Sequence, residues 1–87
     1  MADVEITDAE LAAMEARAAA AVAGPWKSFV EGRDHTSGSD FIKTSGEDIE
    51  LSGATEADQD FIAHARQDLP RLVNEVRALR ARLRGAR

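Results

Sequence analysis

A leucine-rich heptad pattern in residues 69–83 is the strongest constraint on how this 87-residue chain folds. Five apolar residues follow one another at spacings of 3, 4, 3 and 4, namely Leu69, Leu72, Val76, Leu79 and Leu83. Residues at these spacings line one face of an α-helix, as they do in a coiled coil. The other large apolar residues are too few to cover this face within one chain. The sequence therefore predicts a homodimer or larger oligomer joined through it, with packing inside the monomer as the alternative.

The beginning of the chain predicts an amphipathic helix over residues 8–23. Thr7 and Glu10 have the spacing of a capping box, in which each side chain bonds to the backbone N–H of the other residue. An apolar stripe then recurs at spacings of 3, 4 and 4, formed by Leu11, Met14, Ala18 and Val22. Gly24-Pro25 follows directly and is a typical helix stop.

The middle of the chain predicts a β-meander over residues 26–52. Three short segments, 26–31, 40–44 and 47–52, contain alternating or clustered apolar residues. They are separated by the polar loop 32–39 and by a short Ser-Gly turn. Strands joined by such short connections pair in the antiparallel sense. We therefore expect a three-stranded antiparallel sheet.

Two further helices are predicted after the sheet, over residues 55–67 and 69–84. Thr55 and Asp58 form a second capping box at the start of the first of these helices. Its apolar side chains, which we expect to lie in the core, are Phe61, Ile62 and Ala65.

Asp68 and Pro70 together predict a new helix start between these two helices. Asp68 is a suitable cap, and a proline is tolerated in a first helical turn because no intrahelical N–H is needed there. The sequence thus predicts one small α+β domain over residues 1–87, with an N-terminal helix, a three-stranded antiparallel meander and two C-terminal helices.

Charge is distributed unevenly along the chain, whose net charge is −5. Residues 1–65 hold 14 acidic and 4 basic residues, a net −10. Residues 66–87 hold seven arginines against Asp68 and Glu75, a net +5. A basic tail is compatible with nucleic-acid binding. We favour the simpler interpretation, in which the two parts neutralise each other within or between subunits.

Several features of the composition indicate a cytoplasmic protein. The chain has no cysteine, which excludes disulfides and thiolate metal sites and fits a reducing compartment. Its first residues are acidic, whereas a secretory signal begins with positive charge. The alanine-rich stretch 9–23 is too short and too charged to span a bilayer, so no membrane association is expected.

No pattern of residues in the sequence indicates catalysis, a metal or a cofactor. Asp60 and His64 lie four residues apart and share a helix face, but no further metal ligand stands nearby, so we expect a solvated pair. His35 lies beside Asp34 in a polar loop. The chain contains neither a G-x-S-x-G nucleophile motif nor a glycine-rich phosphate loop. We therefore expect a protein that is not an enzyme and needs no cofactor.

Three stretches together form a pattern found in other proteins. They are Gly24-Pro25-Trp26 after the alanine-rich helix, DQDFIAHAR at residues 58–66 and DLPRLVNEVRALR at residues 68–80. Their order is similar to that of small proteins from phages and prophages of actinobacteria that resemble the Ead/Ea22-like family. Val73 stands where that family has a second leucine, and residues 27–52 have no counterpart. The resemblance implies a mobile-element origin and the host cytoplasm, but no activity, because the family has no settled function.

These observations predict a non-catalytic interaction protein of phage or prophage type that binds a host protein. The middle segment would carry the specificity, because loops on a scaffold usually do. Its candidate partner surface consists of Arg33, Asp34, His35, Glu47, Asp48 and Glu50. An acidic surface can imitate nucleic acid, so the protein would act as an anti-defence inhibitor of a host complex.

Two other function classes stay open at this point. One is an accessory protein that binds nucleic acid through the arginines of the last helix, namely Arg77, Arg80, Arg82, Arg84 and Arg87. These side chains point around most of the helix, which weakens that hypothesis. The other is an oligomeric sponge for a nucleotide signal, in which arginines from two subunits clamp phosphates.

Overall fold

The chain adopts an α+β fold in a computed structural model, which describes residues 5–85. This class agrees with the sequence prediction. The helices and strands, in chain order, are α1 (Asp8–Ala20), β1 (Lys27–Phe29), β2 (Phe41–Lys43) and α2 (Glu56–Gly85).

Contacts along the backbone divide the chain into two compact units. Unit 1 contains the described residues of segments 1–21 and 69–87, and unit 2 is Val22–Asp68. Helix α1 therefore belongs to unit 1 and the sheet to unit 2. Helix α2 contributes its first part to unit 2 and the remainder to unit 1.

Helix α1 begins at the predicted capping box. The Thr7 N–H donates to Glu10 Oε1 at 2.8 Å, and the Glu10 N–H donates to Thr7 Oγ1 at 3.0 Å. The helix ends at Ala20, three residues earlier than predicted, because Ala21 takes an extended backbone (φ −72°, ψ 158°). Gly24-Pro25 predicted a helix end at residue 23, but the backbone is already extended at Ala21.

Unit 1 is held together by one buried apolar side chain from each helix and by ion pairs at their edges. Leu11 of α1 and Val73 of α2 are almost completely buried. Two ion pairs join the helices, Arg77 with Glu15 at 2.8 Å and Arg80 with Asp8 at 3.1 Å. The side of α2 that carries Val73, Arg77 and Arg80 therefore faces α1.

Unit 2 contains a two-stranded antiparallel sheet. Ile42, at its centre, is completely buried, as is Val30 just after β1. The register pairs Lys27 with Lys43, Ser28 with Ile42, and Phe29 with Phe41.

The predicted third strand over 47–52 is reduced to a single bridge at Ile49. Ile42 and Ile49 exchange two backbone hydrogen bonds of 2.8 and 2.9 Å, and pairing extends no further. The turn between them is fastened by Thr44, whose Oγ1 donates to the Glu47 carbonyl and accepts from the Gly46 N–H, both at 2.9 Å. These bonds fold the backbone next to the bridge and prevent a longer ladder, so the prediction of three strands is wrong.

Helix α2 runs without interruption from Glu56 to Gly85 and contains Pro70 in its interior. The prediction of two C-terminal helices is therefore wrong. Pro70 has no N–H to bond to the carbonyl of Arg66, which costs one helical bond. Ending one helix and starting another would leave up to four donors and four acceptors unbonded. The loss of a single bond is the smaller cost, so the helix continues and Asp68 is an ordinary helical residue.

The start of α2 carries the second predicted capping box. The Thr55 N–H donates to Asp58 Oδ2, and the Asp58 N–H donates to Thr55 Oγ1, both at 3.0 Å. As in α1, a short local pattern of hydrogen-bonding side chains places the helix start correctly.

Gln59 of α2 is the main polar link between this helix and the sheet. It is only 3% exposed, and its Nε2 donates to Ser28 Oγ at 2.8 Å. The same nitrogen donates to the carbonyls of Phe29 and Phe41, each at 3.2 Å. One amide therefore contacts both strands, and its burial is possible because its donors have acceptors.

Gln67 closes the outer edge of β1 in the same way. Its Oε1 accepts from the Trp26 N–H at 2.6 Å, and its Nε2 donates to the Trp26 carbonyl at 3.1 Å. The side-chain amide thus makes the two bonds that a neighbouring strand would make. The half-buried Trp26 ring is fixed by its own N–H, which donates to the carbonyl of Val22 at 2.9 Å.

Candidate interaction surfaces

The heptad residues of α2 form an exposed apolar strip in unit 1, which we call the leucine face (Leu69, Leu72, Val76, Leu79 and Leu83). Leu72 is 61% exposed and Leu83 is 70% exposed, and only Val76 is half-buried. The residue that does pack inside unit 1 is Val73, which lies beside the strip. Contiguous apolar surface of this kind marks interaction sites in proteins.

A second apolar patch lies in unit 2 at the start of α2. Phe61, predicted to be a core residue, is instead 74% exposed, and Ile62 is also exposed. Together with Leu51 and Ala54 they line a shallow depression of about 410 Å³. The buried positions of this part of α2 are Gln59 and Ala63. The prediction failed because the helix faces the sheet with an amide and a small side chain, which allow close contact with the strand backbone.

Arg33 and Asp34, two of the predicted partner-binding residues, are engaged in a polar cluster with Asp60. Arg33 forms a bidentate pair with Asp60, with both N···O distances 2.9 Å, and its Nε donates to Asp34 Oδ2 at 3.0 Å. Asp34 also accepts the N–H of Val30 at 2.8 Å. These contacts give both residues a structural task in unit 2.

The electrostatics of this cluster follow from its hydrogen bonds. The Arg33 guanidinium, and after it a hydrogen bond from Ser28, lower the pKa of Asp60 to about 2. The pKa of Asp34 is lowered by its bonds with Arg33 and then with Val30. The two carboxylates in turn raise the pKa of Arg33. All three groups are therefore charged throughout the physiological range. Asp60 bonds to Arg33, instead of forming the isolated pair with His64 that its spacing suggested.

His35 lies against two phenylalanines, which limits its use as a surface residue. Its ring makes edge contacts with Phe41 (5.1 Å between centroids) and Phe29 (6.1 Å), and those two rings stack on each other. Its Nδ1 accepts the N–H of Ser37 at 3.2 Å, while Nε2 is buried without a partner among residues 5–85. His35 is thus mainly a packing residue of the aromatic cluster.

Three acidic residues of the predicted partner surface are free of such contacts. Glu47, Asp48 and Glu50 are exposed. None of the ion pairs within the described chain involves their carboxylates. They lie on either side of the bridge at Ile49, so the backbone that carries them is fixed to the sheet.

The arginines of α2 divide into two groups. Arg77 and Arg80 are paired with acidic residues of α1, and Arg80 also donates to the carbonyl of Ile6. Arg82 and Arg84 form no ion pair with any residue in 5–85. Arg87 lies outside the described residues. Two of the five predicted nucleic-acid contacts are therefore already neutralised within unit 1.

Sequence reasoning missed the residues that organise unit 2. Gln59, Ala63 and Gln67 recur every four residues, which places them on one face of the helix. Gln59 and Ala63 are buried on this face, and Gln67 is half-buried. A search for apolar periodicity does not detect this face, because two of its three residues are glutamines. The sequence signal is a small residue with one glutamine four positions before it and another four positions after it. The two side-chain amides can bond to the backbone groups of a strand.

Two features are absent from residues 5–85, a cluster of metal-ligating side chains and a helix that could span a membrane. No group of three or more histidine or acidic side chains in residues 5–85 is arranged to hold a metal ion. Neither α1 nor α2 has an apolar stretch of the length and hydropathy needed to cross a lipid bilayer.

Comparisons of this chain with known protein families, with characterised proteins and with solved structures find no match.

Proposed function

We propose that this chain is a non-catalytic interaction protein that pairs with a second copy of itself through the leucine face. The carrying observation is the exposure of Leu72, Leu79 and Leu83 on a helix whose neighbouring Val73 is buried. Each square ångström of apolar surface withdrawn from water contributes about 25 cal/mol, so covering such a strip is favourable. Helix α1 packs on another side of α2 and leaves the strip open.

In the assembled protein, unit 2 would present an acidic surface to a host protein. Glu47, Asp48 and Glu50 are exposed and belong to a segment bridged to β2. Unit 2 as a whole holds 10 acidic and 4 basic residues, a net charge of −6. A partner with a basic, nucleic-acid-binding site fits this charge, and like-signed partners are repelled. We infer from this charge an anti-defence role, in which the acidic surface competes with nucleic acid, and the resemblance to phage and prophage proteins adds only the mobile-element origin and the host cytoplasm.

The two other function classes have less support. Nucleic-acid binding through α2 would rely on Arg82 and Arg84, because Arg77 and Arg80 already pair with α1. A nucleotide sponge would need a basic pocket. A groove of unit 1 places Glu5 and Asp8 beside Arg80 and Arg84, so bound phosphates would meet carboxylates.

Solution mass is the direct test of self-association. We expect wild type to be a dimer by light scattering at micromolar concentration, and Leu79→Arg to be a folded monomer with unchanged helix content. The matched control is Ala81→Arg, which introduces the same side chain at an exposed position away from the leucine face and should leave the dimer intact. A monomeric wild type would refute the proposal.

The acidic surface is tested by neutralising Glu47, Asp48 and Glu50 to their amides together. We expect loss of competition with DNA for a basic host nuclease, while dimer mass and helix content stay unchanged. Neutralising Glu5, Glu10 and Glu56 gives a control with the same change in net charge. Equal inhibition by the two triple variants would contradict a role for this particular surface.

A further inference from the structure

The two flanks of the leucine face are not equivalent, and this asymmetry limits how a second copy can bind. One flank carries Val73 and Arg80, which are respectively buried and paired with Asp8 of α1. Because successive residues are rotated by about 100°, the opposite flank carries Asp68, Glu75 and Arg82. Among the described residues, the charged side chains that lie beside the leucine face without an ion pair are therefore on this second flank.

Glu75 and Arg82 are both exposed, and neither forms an ion pair with any residue in 5–85. They lie one heptad apart, which places them on the same line along the helix, about 10 Å from each other. They have opposite charges. A helix that runs in the opposite direction presents the same two charges in reverse order, so each would face its complement.

We propose that two copies pair their α2 helices antiparallel, with Glu75 opposite Arg82 of the partner subunit. This inference rests on the proposed self-association and adds its direction and register. In this register Leu72 packs against the partner's Leu83, and Val76 packs against the partner's Leu79. Two-fold symmetry repeats each contact, which gives four apolar layers and two ion pairs.

Two other arrangements bring different charges together. A parallel pair would bring Glu75 opposite the partner's Arg80, whose guanidinium is already bonded to Asp8 and to the Ile6 carbonyl. An antiparallel pair shifted by one heptad towards the start of α2 would place Glu75 opposite the partner's Glu75 and Asp68 opposite the partner's Arg82. The proposed register avoids the contact between like charges. Glu75→Arg distinguishes the two registers, because in the shifted register this change removes no opposite-charge contact.

The antiparallel arrangement also accounts for the position of α1. In an antiparallel pair, equivalent flanks face each other, so the two free flanks meet on one side of the interface. The two α1 helices then lie together on the other side. The two copies of unit 1 would form a four-helix bundle, the usual way to cover helices of this length.

Charge reversal tests the direction and the register. Glu75→Arg and Arg82→Glu each replace two opposite-charge contacts in the homodimer by two like-charge contacts, and each should weaken dimerisation about ten-fold at low salt. An equimolar mixture of the two variants restores both opposite-charge contacts. We expect the heterodimer to form with wild-type affinity in sedimentation equilibrium, and the double variant to dimerise as wild type does.

The control is Ala81→Glu, which adds a charge at an exposed position away from the interface and should not change the dissociation constant. Raising the salt concentration should reduce the difference between variants, because exposed pairs are screened. If wild type dimerises but neither single variant is weakened and no heterodimer is preferred, the antiparallel register is wrong while self-association stands. If wild type is monomeric, both proposals fail together.

Discussion

Replacement of Gln59 offers the sharpest test of how unit 2 is built. In Gln59→Met the side chain keeps its approximate volume and loses its two N–H donors, which three acceptors share, namely Ser28 Oγ and the carbonyls of Phe29 and Phe41. A buried hydrogen bond contributes about 0.5–1.5 kcal/mol net. For two donors the sum is about 1–3 kcal/mol, so we expect a loss of about 2 kcal/mol.

Gln59→Glu should be more harmful, because its carboxylate would face two carbonyl oxygens. A buried charge without a partner costs about 3–5 kcal/mol, a large part of the roughly 4–13 kcal/mol expected for a chain of this length. Burial would raise the pKa of the introduced carboxyl above its ordinary value near 4.3. Stability should therefore recover as the pH falls from 8 to 5, since the acid is then protonated, whereas wild type should change little over this interval.

The assay is urea unfolding followed by the fluorescence of Trp26, the only tryptophan, which lies in unit 2. With a denaturant slope of about 1 kcal/mol per molar, Gln59→Met should lower the midpoint by about 2 M. Asn74→Met, which replaces an exposed amide on the same helix, is the control. A loss below 0.5 kcal/mol for Gln59→Met, or a Gln59→Glu variant without pH dependence, would refute the assigned role of this amide.

Two further predictions concern the polar cluster and the helix interior. Arg33→Leu should raise the pKa of Asp60 from about 2 towards its ordinary 3.8, measured by the carbon chemical shift of the carboxyl group. Because that pKa is depressed in the folded state, the stability that Asp60 contributes is complete above about pH 4 and is lost as the pH falls towards 2. The variant should therefore lose this acid dependence. An unchanged pKa of Asp60 would contradict the role assigned to Arg33. Pro70→Ala should restore the helical bond to the Arg66 carbonyl and raise the free energy of unfolding by about 1–3 kcal/mol in thermal melts. A lower melting temperature would show instead that α2 needs the proline.

Local hydrogen-bonding signals predicted the fold better than apolar periodicity did. Both capping boxes, at Thr7 and at Thr55, lie where the sequence placed them, because a cap depends on residues only three positions apart. The pairing of β1 with β2 was also predicted from short alternating segments. The sequence did not predict that α2 continues through Pro70. That outcome depends on the cost of one lost hydrogen bond relative to the cost of two additional helix ends.

The core and the candidate site were predicted less well, for a physical reason. Phe61 was assigned to the core from its hydrophobicity alone, yet the sheet needs donors for its carbonyls at that contact, and Gln59 supplies them. Arg33 and Asp60 are 27 residues apart, so no spacing rule brings them together. The heptad pattern did identify the leucine face, because helix periodicity is independent of tertiary contacts.

The bonding at the outer edge of β1 determines how unit 2 can recognise another molecule. Backbone groups that point outwards alternate along a strand, and here they belong to Trp26, Ser28 and Val30. Gln67 satisfies Trp26, and Asp34 exchanges bonds of 2.8 Å with Val30 in both directions. An extended peptide cannot join the sheet at this edge without displacing them. Recognition at this edge must therefore use side chains, so its specificity can change by point substitution while the backbone frame stays the same.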